Sequence, residues 1–553
     1  MKKLNRYRVG ELPLIAEIIR RMNLRAILNE FIPEEINAEI PTVEVLILLI
    51  CNLTIGKSTL YELNEWVKEL NLEAIGLGKY KQLEQFTDDR FGRALDKLFK
   101  VDRASLMTKI VIETIKSFNV ELDQIHNDST TIKAYGEYPG KTKSGVEFKK
   151  GKSKDHRPDL KQLVYSLTIS NDGAVPIHHK VYSGNRNDDS THIETWTTLS
   201  QICQRNDFLY VADCKLCTDR QLSHIANLGG RVITVIPENW KEVNDFKDSL
   251  RNEKKVKTEI WRRQNEEEDT VYYYAFDEKC HTRLRGYQIH WILSSDTCKE
   301  DFEKRERLLA KAENDLRKLL PQLNKRNLKT EEAIQKKCEA ILKKRLASRF
   351  LVIELNKIAV EYTKTKKIKN KIKESKVIKD EYTLSWKRDS KALKMEENVD
   401  GVFPLLTTDE NVSSKEALIA FKYQPKLEKR FSQFKSVHNA APIFLKKIER
   451  VEASMFLFFI SLLVQSLIER EIRSKMLENK IKNLTIYPEN REALHPTTCK
   501  VFDRFSSIST YEIVEEVSGV VERYQDELSG MHLTILKMLG IGEEQYWHGI
   551  TAR

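Results

Sequence analysis

The sequence predicts an α/β fold preceded by a helical region, on three observations. Residues 1 to about 115 repeat apolar side chains at helical spacing throughout. From Val120 onward, short runs rich in β-formers alternate with turn and helix signals in the order β-β-β-α-β-α-β. That alternation stops near residue 238 and a helical pattern resumes at Ser414, so a long segment interrupts the core before its last helices. The expected domains are a helical DNA-binding region 1–115, the first part of the core 116–237, an insertion 238–410, the last core helices 411–475, and a C-terminal region 476–553 with a possible role in dimerisation.

In the first region, Leu60, Leu63, Trp66, Val67 and Leu70 mark one face of a helix starting near Ser58. An apolar helix, Thr42 to Leu53, and the turn Thr54-Ile55-Gly56-Lys57 precede it. A helix, a short glycine turn and a second helix suit a helix-turn-helix, and equally a plain helical bundle. The core strands are read at Glu121–Asp128, Gln162–Ser170, Ala174–Ser183, Phe208–Asp213 and Arg231–Ile236. Asn171-Asp172-Gly173 is a hairpin turn signal. Helices are read from about Ser190 to Gln204 and from Asp219 to Ala226. This order is that of a ribonuclease-H-like core.

The insertion begins with strands at Thr258–Arg262, Thr270–Phe276 and Arg285–Ser294. Leu308, Ala312, Leu316, Leu319 and Leu323 then form a helical stripe, followed by a second helix from Thr330 to Ala347. Strands return at Arg349–Leu355 and Tyr382–Trp386. Between them Lys364–Lys379 is dominated by lysine, which reads as a solvated face or linker, or as a track for a phosphate backbone. Pro425 suits the first turn of a new helix. In the tail, helices are read near Tyr511–Leu528 and Leu533–Leu539. There is no internal repeat.

The 553 residues carry 93 Lys and Arg against 82 Asp and Glu, a net charge of +11. That balance favours a polyanionic partner, weakly for so long a chain. The basic start reaches Glu11 and Glu17 before any long apolar run, unlike a secretory signal. The apolar stretch Met455–Leu467 is too short to span a bilayer and reads as a buried helix. Eight scattered cysteines suggest free thiols and a reducing cytoplasm. Cys214 and Cys217 have C-x-x-C spacing, but without a second pair a zinc site is not expected.

Three carboxylates carry the chemistry. Asp128 follows a strand and precedes Ser-Thr-Thr, and Asp213 ends an otherwise apolar strand, where a charge is costly unless paired or bound to a cation. Both are expected at the carboxyl edge of the sheet, where α/β folds collect ligands. Glu428 lies in the opening turns of the helix after Pro425, with Lys435 two turns later on the same face. Glu416 is its competitor. His126 is expected to be a packed strand residue. Lys154, Arg157 and Lys161 stand in a polar loop between the first two strands, suited to phosphate contact. Three carboxylates meeting at one edge hold two divalent cations that clamp an in-line displacement at phosphorus. The residues therefore read as those of a metal-dependent nuclease or strand transferase.

Four segments sharpen this: Glu11-Leu-Pro-Leu-Ile-Ala-Glu17, Ser153-Lys-Asp-His-Arg-Pro-Asp-Leu-Lys-Gln162, Tyr210-Val-Ala-Asp-Cys-Lys-Leu-Cys217 and Gly229-Gly-Arg-Val-Ile-Thr-Val-Ile-Pro237. With them the chain, over about residues 8 to 470, resembles the DDE transposases of bacterial insertion sequences, in the insertion-sequence-4 superfamily and its insertion sequence 1634 subgroup. The resemblance implies a ribonuclease-H-like fold with a strand-rich insertion before the last Glu. It implies two Mg²⁺ ions, replaceable by Mn²⁺, held by Asp128, Asp213 and Glu428. It also implies double-stranded DNA as partner (terminal inverted repeats and target), cut-and-paste or related strand transfer, and a homodimer on paired ends in a bacterial cytoplasm. The family signature around the Glu is Tyr, two residues, Arg, three residues, Glu, six residues, Lys. Glu428 and Lys435 fit it, while Phe421 and Gln424 stand at the Tyr and Arg places, with Tyr423, Lys426 and Arg430 nearby but out of step. Lys435 and Arg430 are carried over as DNA contacts. Hairpin-forming relatives hold a flipped base with an aromatic side chain of the insertion; Trp240 is the first choice for that place, ahead of Trp261, Trp291 and Trp386.

Overall fold

The computed structural model describes the chain except residues 1, 34–37, 57–61, 79, 81–82, 152–158, 187–190, 265–268, 279, 284, 369–370, 438–444, 488, 490, 516–520 and 550–553; at 364, 366–368, 371–375 and 437 the backbone alone is described. The chain is a mixed α/β protein that divides into two compact units, 1–234 with 419–553, and 235–418.

The first unit opens with strand β1 (Lys2–Arg8), not with a helix. Among the described residues the α-helices that follow are α1 (Leu12–Arg21), α2 (Leu24–Phe31), α3 (Thr42–Ile55), α4 (Leu63–Lys68), α5 (Asp88–Lys100) and α6 (Arg103–Phe118). Gly56 ends α3 in the left-handed region, φ 76°, as a helix-stopping glycine does. Residues 57–61, on which the helix-turn-helix reading depends, lie outside the described residues.

Then come β2 (Gln124–Ala134), β3 (Lys161–Ser170), β4 (Pro176–Ser183), α7 (His192–Cys203), β5 (Leu209–Val211), α8 (Asp219–Asn227) and β6 (Arg231–Val235). They reproduce the predicted β-β-β-α-β-α-β order. The strands lie side by side as β4-β3-β2-β5-β6. The first three pair antiparallel. β5 and β6 run parallel to β2. β5 is short and wholly buried, so it reads as an unbroken apolar run.

The second unit holds α9 (Lys241–Asn252), β7 (Lys257–Gln264), β8 (Thr270–Phe276), β9 (Cys280–His281), β10 (Gln288–Ser294), α10 (Ser295–Leu319), α11 (Glu331–Lys344), β11 (Leu351–Ile368), β12 (Lys371–Arg388), α12 (Ser390–Glu397) and β13 (Val402–Thr407). β13, β10, β8 and β7 form an antiparallel layer, and β9 pairs with β10. A buried Arg305–Asp400 pair, with contacts of 2.5 and 2.7 Å, locks α10 to the turn before β13. The block Lys364–Lys379, read as a solvated face, a linker or a track for a phosphate backbone, lies in the long hairpin β11–β12. A lysine-rich sequence hides the strand alternation because nearly every position is polar.

Helix α13 (Ser414–Phe421) returns the chain to the first unit, which ends with α14 (Gln424–Ser432), α15 (Ile448–Glu478), α16 (Thr498–Phe505), β14 (Ser509–Glu515), β15 (Val521–Gln525), α17 (Gly530–Leu539) and α18 (Glu543–His548). α15 is about 46 Å long at 1.5 Å per residue. By length and composition it would cross a membrane, yet 94% of its apolar window is buried inside the protein, among α1, α3, α5, β4 and α17. β14 pairs antiparallel with β1, from Arg8↔Ser509 to Lys2↔Glu515. The tail read as helix near 511–528 is therefore a strand pair that closes back on the N-terminus. None of the eight cysteines is in a disulfide, so Cys214 and Cys217 form no bridge with each other.

Candidate active site

β2 organises the site. By strand alternation His126, Asp128 and Thr130 share one face, and Asn127 and Ser129 the other. Asn127 Oδ1 accepts from Ser166 Oγ at 3.1 Å and Thr168 Oγ1 at 2.9 Å, which fixes β3 against β2. The parallel ladder between β2 and β5 ends at Ile125↔Tyr210 and His126↔Val211. Two residues further along each chain stand Asp128 and Asp213. Adjacent strands are about 4.8 Å apart, so the two carboxylates start from neighbouring backbone positions.

Asp128 is not at the end of its own strand, as the sequence predicts. β2 continues to Ala134, paired with β3 all the way. It is β5 that stops, so Asp128 lies at the edge of the parallel half of the sheet only. Asp128 Oδ1 accepts from the Ser129 amide at 2.7 Å. Asp213 has an extended backbone (φ −69°, ψ −178°) and accepts from the Lys215 amide at 3.0 Å, starting a short 3-10 turn, 214–216. Its carbonyl accepts from Thr234 Oγ1 at 2.7 Å, which ties it to β6. Both Asp side chains are half-buried.

α14 lies across this face. Gln424 Oε1 accepts from His126 Nδ1 at 3.0 Å, and Gln424 Nε2 donates to the Asn127 carbonyl at 3.2 Å. Tyr423 packs on the His126 ring, centroids 5.0 Å apart. Ten residues after Gln424, Phe434 stacks on Tyr165 at 4.5 Å, and Tyr165 pairs with Thr130. The chain thus passes from the level of His126 to that of Thr130, with Asp128 between them. Gln424, Leu427, Phe431 and Phe434 form its buried stripe, and Glu428 flanks that stripe, exposed. Helix α14 gives way to a π-helical turn at 433–437. The turn takes in Lys435, so the seven-residue spacing from Glu428 does not run through an unbroken α-helix.

His126 is wholly buried, and burial pulls its imidazole from the usual 6.5 down to about 4. Its neutral form fits the network: Nδ1–H donates to Gln424, and Nε2 accepts from Gln124 Nε2 at 2.8 Å. On the other side of α14, partial burial and then the charges of Lys429, Arg473 and Arg430 push the Lys426 ammonium down.

Several expected contacts resolve differently. Arg430 is buried and its guanidinium is spent internally: Nε on Ala174 O at 3.0 Å, Nη2 on Gly173 O at 2.9 Å, Nη1 on Gln433 Oε1 at 2.8 Å and on Glu469 Oε2 at 2.9 Å. It pins α14 to the β3–β4 turn and α15 and is not placed to meet a phosphate. Glu416 caps its own helix, accepting from Ser413 N at 2.9 Å and Oγ at 2.7 Å. Lys161 pairs with Ala134 and bonds the Glu137 carbonyl. Six residues separate Ala134 from Asp128, about 20 Å along the strand, so Lys161 is remote from the carboxylate pair. Lys154 and Arg157 lie outside the described residues. Trp240 is the half-buried residue before α9, in the second unit. Trp291 is buried against Phe246 at 3.9 Å, and Trp261 stacks on Tyr273 at 5.2 Å.

Among the described residues, no three His, Cys, Asp or Glu side chains are gathered to hold a metal ion. Asp128, Asp213 and Glu428 do not form such a group by themselves. The Asp pair alone suits Mg²⁺, which takes hard oxygen ligands and is commonly held by one or two carboxylates together with substrate phosphates. The Gln124–His126–Gln424 network was not foreseen. Its only signal was Gln424 ahead of Pro425 at a helix start; the pairing spans 298 positions.

Residues 4–112 match a sequence family described as a domain of unknown function, DUF4277. No curated protein matches the chain. Among solved structures the chain is similar to a piggyBac transposase, in the cryo-EM structure of its synaptic complex with hairpin DNA. The likeness has 10% identity and a TM-score of 0.25, over 53% of this chain and 63% of that one. So slight a likeness does not define the fold.

Proposed function

We propose that the protein is a DNA transposase of the insertion-sequence type, in the insertion-sequence-4 superfamily and its 1634 subgroup. The observation that carries this is the Asp128–Asp213 pair on neighbouring parallel strands, in a sheet whose order and directions support a ribonuclease-H-like core. The helix bearing Glu428 crosses the same face, which supports Glu428 as the third acidic group. Its substrate is the inverted-repeat DNA at the ends of its element, cut and then joined to target DNA, by a homodimer.

Asp128 and Asp213 would hold Mg²⁺ or Mn²⁺, with Glu428 completing the set once DNA is bound. When bound, the two ions supply activation of the attacking hydroxyl and stabilisation of the leaving oxygen. The chain's own residues position the groups. The 3-10 turn after Asp213 and the amide of Ser129 orient the two carboxylates. Gln424 and His126 hold α14 over β2 and so limit where Glu428 can reach. Lys435 is the phosphate contact carried over from the signature.

The test uses the full chain, Mg²⁺ and a duplex carrying one end of the element. Asp128→Asn and Asp213→Asn each abolish cleavage while leaving end binding within a few-fold. Near-normal cleavage by either variant removes that residue from the site. Cleavage without joining of paired ends would assign the chain to stand-alone nucleases.

A further inference from the structure

We propose that the β11–β12 hairpin is a DNA-contacting ribbon whose lysine-bearing face lies in the major groove of a duplex. This rests on the proposed DNA partner. Its root is packed: Leu351, Tyr382 and Leu384 join Leu316, Leu319 and Leu342 in one apolar cluster. Beyond the root the ribbon stands out from its unit. The described side chains at 356–363, 365 and 376–380 are exposed, save the half-buried Val360 and Val377.

The register sorts the lysines. Pairs 358/381, 360/379, 362/377, 364/375, 366/373 and 368/371 belong to one face. That face carries Lys364, Lys366, Lys371, Lys373 and Lys379 against a single acid, Glu381, which receives the Tyr362 hydroxyl. The reverse face, from 357/382 to 367/372, carries Lys357, Lys367 and Lys376 against Glu361, Glu374 and Asp380. There Lys357 pairs with Asp380 at 2.8 Å and Lys376 with Glu361 at 3.3 Å. By register the reverse face is balanced, three lysines against three acids, while the first face carries five lysines against one acid.

Two like charges directly opposite each other destabilise a strand pair, and Lys366↔Lys373 is such a pair. Lysines that only guarded the open edges against aggregation would need no preferred face. A second copy of the chain meeting this face by two-fold symmetry would set like charges against each other. A polyanion relieves the repulsion. The lysine-bearing stretch, from Val360 to Ile368, is roughly 30 Å long at about 3.3 Å per residue, close to one turn of duplex. A two-stranded ribbon fits the major groove, about 12 Å wide.

The test compares two full-chain triple variants that lose the same charge: Lys364→Thr, Lys366→Thr and Lys373→Thr on the basic face, and Lys357→Thr, Lys367→Thr and Lys376→Thr on the reverse. Threonine keeps strand propensity, and a parallel Lys→Gln set guards against misfolding of either. The probe is a 30-base-pair duplex titrated at several salt concentrations. The basic-face triple lowers the slope of log K against log salt by about 2–3, at about 0.9 per lost phosphate contact; the reverse triple changes it by less than 1. Equal slopes for the two triples overturn the proposal, as does a changed oligomeric state of the basic-face triple with unchanged DNA affinity. In either case wild-type binding and Asp128-dependent cleavage stay intact, so the transposase reading survives. A wild-type chain that binds no duplex at low salt removes both.

Discussion

Gln424 clasps His126 across the sheet: its carbonyl oxygen takes the imidazole Nδ1–H at 3.0 Å while its amide reaches the next carbonyl of the strand, that of Asn127, at 3.2 Å. One side chain thus joins the start of α14 to β2 two residues before Asp128. Because Nε2 of the same ring accepts from Gln124, only neutral imidazole satisfies every partner.

The first prediction concerns acid. The His126 imidazole is pulled down to about 4, so between pH 6.5 and 4 the unfolded chain binds a proton that the folded chain does not. Its contribution is undiminished above 6.5 and is lost as pH falls toward 4. At about 1.4 kcal/mol per unit, the loss between pH 7.5 and 5 is about 2 kcal/mol. His126→Phe should cost about 1–3 kcal/mol at pH 7.5 by leaving Gln124 and Gln424 unpaired, and should reduce the acid sensitivity by that same share. Denaturant unfolding at the two pH values checks this. Undiminished acid sensitivity in the variant would place the titration elsewhere, with His178 and His290, also pulled down to about 4, the next to test.

The third carboxylate is the next test. Glu428→Gln should reduce cleavage of an end duplex by a hundredfold or more, whereas Glu416→Gln, which keeps an acceptor for the Ser413 amide, should leave the rate within a few-fold and the stability nearly unchanged. Single-turnover cleavage rates decide between them. The reverse pattern would move the catalytic role to Glu416.

Arg430 gives a stability prediction where the signature suggests a DNA contact. Burial pushes the Glu469 carboxyl up, but Arg430 and Arg473 outweigh it and hold it below the ordinary range. Arg430→Ala leaves that carboxylate without its main partner, at about 3–5 kcal/mol. Arg430→Met with Glu469→Leu should recover much of the loss. The salt slope of DNA binding should not change for the double variant; a fall of about 1 would show that Arg430 meets a phosphate after all.

The N-terminal region should not fold alone. β1 finds its strand partner in β14, and α3 packs on α15, both from the last part of the chain. A fragment of residues 1–115 is expected to lack cooperative thermal unfolding, and deletion of 509–553 to lower the melting temperature of the full chain. A cooperative transition in the isolated fragment would contradict this.

What the sequence determined was order and chemistry. Strand and helix periods are local, so the series from β2 to β6 was legible, as were the apolar run that ends in Asp213 and the helix that begins at Pro425. The tertiary structure decided everything that depends on distant partners. β1 and β14 have no apolar alternation strong enough to declare them strands, and each is a strand because the other pairs with it. The β11–β12 ribbon was masked by lysine, since alternation is invisible where both faces are polar. A π-helical turn at 433–437 interrupts the unbroken helix that the spacing of Glu428 and Lys435 assumed. Asp128 was read at a strand end because local pattern stops there, whereas the edge it occupies belongs to its shorter neighbour β5, and only a formed sheet has neighbours.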